Sequence, residues 1–130
     1  MNWKALSFIV CILLMAACAP EKKETATLPK PVDVVLQVPE TADINKAVTF
    51  SAKVTQNGEP VDDADEVKYE IWKEGFKESS EMLDAAAEGE GAYTVSKTFE
   101  EAAVYHVQVH VVARGQHTMP KAAITIENTQ

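Results

Sequence analysis

Residues 105–120 read YHVQVHVVARGQHTMP, and this stretch has the pattern of a β-hairpin. Its first half alternates apolar with polar residues, which is the two-residue period of a strand that buries one face. The dipeptide Arg114-Gly115 interrupts the alternation and predicts a tight turn that returns the chain beside itself. The stretch therefore predicts two antiparallel strands, and similar strand patterns occur through most of the chain.

The length of this turn decides which residues of the two strands face each other. With a two-residue loop, His110 lies opposite Met119 and Val112 lies opposite His117, so all four share one face. The other face is then apolar, and it includes Ile124. A shift of one residue would bury His117 and Met119 and expose Ile124, whereas a four-residue loop would keep the same faces.

Two-residue alternation also marks the earlier part of the chain, starting near Pro31. Asn57-Gly58 is a strong turn signal, residues 78–83 could form a short edge strand, and residues 85–87 could form one helical turn that Gly89 would end. The alternating segments are 32–38, 48–54, 67–72, 93–99 and 105–111, and residues 116–127 close the chain. They predict an all-β fold, an immunoglobulin-like two-sheet sandwich of six to seven strands.

The composition limits the classes of function. The 130 residues fit one domain, and 20 acidic residues outnumber 12 basic ones, giving a formal net charge of −8. Such a surface repels phosphate backbones, so we expect no nucleic-acid binding. The sequence has no nucleophile elbow, phosphate-binding glycine loop or zinc-protease signature, and we therefore expect no enzymatic activity.

The start of the chain predicts export and attachment to a membrane. Lys4 precedes an apolar run of about 13 residues, which suits a secretory signal and is too short for a membrane span of about 20 residues. Leu14 to Cys18 (LMAAC) resembles a bacterial lipobox, which implies cleavage before Cys18 and lipid attachment to this cysteine. The alternative is an ordinary signal peptide that is cut nearby, with Cys18 incidental.

These features divide the chain into three parts. Residues 1–17 are the predicted lipoprotein signal peptide, residues 18–30 the lipidated cysteine and a flexible tether, and residues 31–130 the folded domain. The expected location is the extracytoplasmic face of the cell membrane. Cys11 would leave with the signal and Cys18 would carry lipid, so the mature domain would have neither a free thiol nor a disulfide.

The candidate chemistry lies on the hairpin, where His110, His117 and Met119 share a face. Opposed side chains on paired strands have Cβ atoms about 4.5–5.5 Å apart, so two imidazoles and a thioether could bind one metal ion. This donor set favours copper ahead of zinc. His106 would lie roughly 13 Å from His110 along the strand, too far for both to bind one ion directly. Met82 could add a soft ligand if its strand lies nearby. The simpler alternative for the whole hairpin face is a polar surface that binds no metal.

Several segments resemble the YtkA-like domain of Bacillus-type lipoproteins, an extracytoplasmic bacterial family. The most specific is the His-x-x-x-x-x-x-His-x-Met-Pro run from His110 to Pro120. The others are residues 91–93, 105–111 and 113–120, Glu70-Ile71-Trp72 and Glu81-Met82. Two positions depart from the family pattern, since relatives often have methionine at the position of Gln116 and sometimes histidine at that of Ser80.

The resemblance implies a membrane-anchored, extracytoplasmic copper-binding accessory protein with a β-sandwich fold. It implies that His110, His117 and Met119 bind the copper ion, with Met82 as a candidate fourth ligand. The implied role is to assist copper delivery to cytochrome c oxidase, whose copper subunit or another copper protein would be the partner. The alternative is a non-metal immunoglobulin-like envelope module for protein-protein contact, in which the acidic residues of segment 59–66 would attract basic partners.

Overall fold

The structure is a computed structural model that describes residues 30–129. The alternating segments of the sequence form β-strands in it. The predicted signal peptide, Cys18 and all of the predicted tether except Lys30 lie outside the described residues. In chain order the strands are β1 (Val32–Gln37), β2 (Thr41–Asp43), β3 (Ala47–Gln56), β4 (Glu59–Pro60), β5 (Glu66–Lys73), β6 (Glu81–Asp84), β7 (Ala86–Gly89), β8 (Ala92–Thr98), β9 (Ala103–Ala113), β10 (Gln116–Thr118) and β11 (Lys121–Glu127). A 3₁₀ turn at Lys77–Ser79 precedes β6. This part of the chain contains no helix with the length and apolar character of a membrane span.

The strands form two sheets that pack face to face around one core. The first sheet has the order β1-β3-β8-β7, with β4 paired to β3, and the second has the order β2-β11-β9-β5-β6, with β10 paired to β9. Neighbouring strands are antiparallel, except that β2 runs parallel to β11. The first two strands therefore form one edge of each sheet. This arrangement is that of an immunoglobulin-like sandwich and confirms the predicted fold class.

The hairpin of β9 and β10 has the predicted register. Arg114 and Gly115 form its two-residue turn with φ angles of 49° and 75°, the left-handed conformation that such a turn requires. His117 pairs with Val112, as the turn length predicts. The same register continues into β11 and places Ile124 in the core, where it is buried.

Short strands account for the differences from the sequence prediction. Residues 78–83 divide between the 3₁₀ turn and β6, which is the edge strand of the second sheet. Residues 86–89 form β7 instead of a helical turn, because they pair with β8 at the edge of the first sheet. The described residues contain eleven strands where six to seven were expected, because β2, β4 and β7 were not predicted and residues 116–127 form two strands, β10 and β11, instead of one.

Aromatic side chains occupy the centre of the core. The ring centroid of Phe50 lies 6.4 Å from that of Tyr69 and 6.3 Å from that of Phe99. Tyr69 is fully buried, and its hydroxyl donates a 2.6 Å hydrogen bond to the backbone oxygen of Tyr93. Further buried side chains are Val54, Val61, Val107, Val109, Val111 and Ile126. Among the described residues, no buried side-chain nitrogen or oxygen lacks a hydrogen-bond partner.

Tyr105 anchors the start of β9. Its hydroxyl donates a 3.0 Å hydrogen bond to the backbone oxygen of Glu101, four residues earlier. Its ring also packs on Phe99, with centroids 4.4 Å apart. This arrangement corresponds to the tyrosine corner of immunoglobulin-like domains, which ties the preceding loop to the strand. The contact therefore helps to fix the position of β9, the central strand of the second sheet.

We expect Tyr69→Phe to lower the free energy of unfolding by about 1–2 kcal/mol, because a buried hydrogen bond to Tyr93 is lost. Urea unfolding at neutral pH measures this loss. Tyr105→Phe is the matched control, and it should cost less because water can replace its exposed hydrogen bond. Equal losses for the two substitutions would contradict the importance of the buried contact.

Tyr69→Phe should also change how the free energy of unfolding depends on pH in the alkaline range. Burial raises the pKa of the Tyr69 phenol well above its ordinary value. The unfolded chain therefore loses this proton at lower pH than the folded chain, and the free energy of unfolding falls as pH rises above about 10. Tyr69→Phe should make this fall in the free energy of unfolding shallower. An equal fall in Tyr69→Phe and in the unsubstituted chain would contradict the raised pKa of the Tyr69 phenol.

Candidate metal site

The outer face of the second sheet carries the predicted metal ligands. β9 lies inside this sheet, with β5 on one side and β10 and β11 on the other. His110 lies on β9, and His117 lies on β10 two residue pairs nearer the turn. A 3.1 Å backbone hydrogen bond from Val109 to Pro120 continues the hairpin register beyond β10. This register places Met119 opposite His110.

The two imidazoles are close enough to bind one metal ion. The ring centroids of His110 and His117 are 5.8 Å apart, and their planes are inclined by 39°. A metal ion about 2.0–2.1 Å from one nitrogen of each ring would hold the two centroids roughly 5–6 Å apart, so the observed separation fits a shared ion. Met119 is 47% exposed on the same face and offers a polarizable thioether. The chemistry of these three donors suits copper.

No larger cluster of ligands accompanies these side chains. Across residues 30–129, no group of three or more His, Cys, Asp or Glu side chains is placed to hold a metal ion. The candidate site therefore depends on the thioether of Met119 for its third donor. A site with this composition differs from the closed thiolate and imidazole sites that hold structural zinc.

Glu70 of β5 contacts His110, and the sequence did not predict this contact. His110 Nε2 lies 2.9 Å from Glu70 Oε1, and Ser80 Oγ donates a 2.8 Å hydrogen bond to Glu70 Oε2. The hydrogen bond with His110, and then that with Ser80, hold the pKa of the Glu70 carboxyl below its ordinary value. The side chains of His110 and Glu70 are only 19% and 15% exposed, so the pair is largely shielded from water. Strand alternation places Glu70 on the outer face, but only the pairing of β5 with β9 brings it to His110.

Met82 shares the outer face but is separated from His110 by a strand. It lies on β6 opposite Glu70, and β5 runs between β6 and β9. Because neighbouring strands are about 4.8 Å apart, its backbone lies roughly 10 Å from that of β9. The structure therefore does not bring Met82, which is 51% exposed, next to His110 and His117.

His106 belongs to a separate aromatic group. Its ring stacks on that of Trp72 with centroids 5.5 Å apart, and its Nε2 lies 3.5 Å from Glu74 Oε1. The Nζ atom of Lys121 lies 5.9 Å from the Trp72 ring centroid and helps to cover the same ring. His106 and His110 are four residues apart on β9, and the structure does not bring them together.

Gln116 lies on the opposite side of β10 from His117. Its Oε1 accepts a 2.8 Å hydrogen bond from the backbone nitrogen of Val32, and its Nε2 donates a 2.9 Å hydrogen bond to the backbone oxygen of Lys30. These bonds hold the start of β1 against the hairpin. A methionine at this position would accordingly point away from the face that carries His110 and His117.

The acidic segment 59–66 leads into β5 near the turn of the hairpin. Asp63 Oδ1 lies 3.1 Å from Nη2 of Arg114, a turn residue. Asp62 Oδ1 accepts a 2.6 Å hydrogen bond from the backbone nitrogen of Gly91. Part of the negative charge of this segment therefore stabilises the loop itself.

Comparison with protein families identifies the family of this chain. Residues 27–110 match the YtkA-like family, which is more than half of the chain. The matched stretch ends at His110 and does not include His117 or Met119. A comparison with curated proteins finds no significant match.

Solved structures of low sequence identity share the fold. Superoxide reductase (neelaredoxin) from Ignicoccus hospitalis is 13% identical, with a TM-score of 0.54 over 72% of this chain and 80% of that protein. The CARDB domain of the PF1109 protein from Pyrococcus furiosus, solved in complex with di-metal ions, is also 13% identical, with a TM-score of 0.50 over 78% of this chain and 96% of that domain. At such low identity these similarities show the fold alone.

The contact between Glu70 and His110 predicts how the metal-free chain responds to acid. The pKa of Glu70 is lowered in the folded chain, so the unfolded chain takes up this proton first as pH falls. The stability from this contact is present above about pH 5 and is lost as pH falls through the folded pKa. We expect Glu70→Gln to reduce the loss of unfolding free energy between neutral pH and about pH 3, measured by urea unfolding with a chelator present.

The exposed loop residue Glu100 provides the control for this measurement. Glu100→Gln should leave the acid profile close to that of the unsubstituted chain. A profile for Glu70→Gln that matches the profile of Glu100→Gln would show that the contact with His110 does not stabilise the fold.

Proposed function

The chain belongs to the YtkA-like family, and from this membership we propose that it binds copper outside the cytoplasm and passes it to another protein. In this proposal copper is a cargo, bound by His110, His117 and Met119. Cys18 carries the lipid that anchors the chain to the extracytoplasmic face of the cell membrane. The observation that carries the proposal is the 5.8 Å separation of two imidazole rings on the face that also exposes Met119.

The donor set and its exposure support exchange of the metal. Thioethers favour Cu(I), and imidazoles suit copper in general. His117 and Met119 are exposed, so a partner can approach a bound ion from their side. His110 is less exposed and contacts Glu70, which makes it the better fixed of the two imidazoles. A site with one fixed ligand and two accessible ones suits a protein that both accepts and releases copper.

The proposed recipient is the copper subunit of cytochrome c oxidase or another copper protein of the same compartment. This part of the proposal comes from the resemblance to the YtkA-like lipoproteins. Transfer of copper between two sets of ligands makes and breaks coordination bonds only. We therefore propose a binding and delivery role, without enzymatic activity.

Copper titration of the full chain tests the proposal. The reference is the Cys11→Ser/Cys18→Ser variant, because free thiols bind Cu(I) themselves. We expect the reference to bind one Cu(I) ion more tightly than about 1 μM in competition with a chromogenic chelator. His110→Ala or His117→Ala in this reference should weaken binding by about tenfold or more, since each removes one of the three donors.

His106→Ala is the matched control, because this histidine lies on the same strand and stacks on Trp72 instead. It should change the dissociation constant by less than about twofold, which is under about 0.5 kcal/mol. Binding weaker than micromolar, or equal binding after the substitution of both His110 and His117, would contradict the copper site. A partner protein captured equally with and without these two histidines would favour the non-metal contact module.

A further inference from the structure

We infer that Glu70 is a positioning residue for the copper site. It fixes the ring of His110 in the tautomer that has its proton on Nε2, and it leaves Nδ1 as the nitrogen that binds copper. Ser80 completes the arrangement by holding the second oxygen of Glu70. The ligand assignment rests on the proposed function, whereas the tautomer is a property of the metal-free chain.

The hydrogen bonds around Glu70 determine where the proton lies. Glu70 Oε1 is 2.9 Å from Nε2 of His110, and Oε2 is 2.8 Å from Oγ of Ser80. An ionised carboxylate can only accept hydrogen bonds, so both partners are donors. A neutral imidazole has one protonated nitrogen, and a proton on Nε2 leaves the lone pair on Nδ1. Because a metal binds the unprotonated nitrogen, Nδ1 is the ligand atom that remains available.

The order of the strands leads to the same assignment. β5 and β10 lie on opposite sides of β9, so Glu70 approaches His110 from one side while His117 and Met119 lie on the other. An ion shared with His117 and Met119 would lie on the β10 side of the ring. Nε2 is engaged on the β5 side, and this leaves Nδ1 for the ion.

The surroundings of the pair allow this contact to persist. His110 and Glu70 are both largely shielded from water, where a hydrogen bond is electrostatically stronger than in bulk solvent. A carboxylate that accepts from a ligating histidine orients the ring and raises its basicity, and its removal typically costs about 10–100-fold in metal affinity. Glu74 offers a comparison on the same face, because it lies 3.5 Å from His106 and its side chain is 65% exposed.

Nitrogen-15 NMR of the imidazoles tests the inference. The sample is the full Cys11→Ser/Cys18→Ser chain with nitrogen-15-labelled histidine, studied without metal at about pH 8, which is above the ordinary pKa of a free imidazole. His110 should show a protonated Nε2 and an unprotonated Nδ1. Adding Cu(I), which is diamagnetic, should shift the Nδ1 resonance and leave Nε2 protonated.

Substitutions of Glu70 separate positioning from a structural role. Glu70→Ala should give His110 a mixture of tautomers and weaken Cu(I) binding by about 10–100-fold. Glu70→Gln is the conservative rescue, because its amide oxygen can still accept from Nε2 and its amide nitrogen can donate to Ser80. It should keep the tautomer and lose less affinity than Glu70→Ala. Glu74→Ala is the matched control and should leave both the tautomer of His110 and the affinity unchanged.

Three results would overturn the inference. The first is a proton on Nδ1 of His110 in the metal-free reference chain, and the second is an unchanged tautomer after Glu70→Ala. The third is an equal loss of affinity for Glu70→Gln and Glu70→Ala, which would make Glu70 itself a copper ligand. If the reference chain binds no copper, the proposed function fails and the ligand assignment of Nδ1 fails with it. Normal copper binding with the other tautomer overturns the inference alone.

Discussion

The pairing register of β9 is the constraint on which both the core and the candidate site depend. The turn at Arg114-Gly115 sets this register, and it continues unchanged from β10 into β11. It directs Val107 and Val109 into the core, and it places His110 and His117 on the opposite face. A shift of one residue would place His117 and Met119 on the core face, away from His110, and would expose Ile124. A single local turn thus determines both the stability of the sandwich and the grouping of the proposed ligands.

The candidate site combines one donor that the fold holds rigidly with two that are accessible to solvent. His110 lies on the longest strand of the second sheet, backed by the aromatic core and flanked by Glu70. His117 lies on a strand of only three residues, and Met119 follows it outside the regular pairing. The fold therefore fixes one donor firmly and leaves the other two open to solvent. One fixed and two accessible donors support a role in which the ion is bound and then transferred to a partner.

Local sequence signals predict the fold class, the long strands and the two faces of the hairpin, because alternation and turn residues act over short distances. Such signals do not predict β7, because residues 86–89 have little strand propensity and form a strand through their pairing with β8. The contact between Glu70 and His110 joins residues 40 positions apart and depends on the pairing of β5 with β9, which no local pattern reveals. The distance between Met82 and His110 could not be predicted either. The alternating pattern predicts which face of the sheet Met82 is on, but only the strand order shows that β5 separates it from His110.

The central claim is that His110, His117 and Met119 hold one copper ion between them. A crystal of the full Cys11→Ser/Cys18→Ser chain, soaked in Cu(I) and measured at the copper absorption edge, locates the ion directly. The predicted result is a single anomalous peak on the outer face between β9 and β10, within bonding distance of His110 Nδ1, a nitrogen of His117 and the sulfur of Met119. A peak elsewhere on the protein, or an empty outer face under conditions that saturate binding in solution, would contradict the claim.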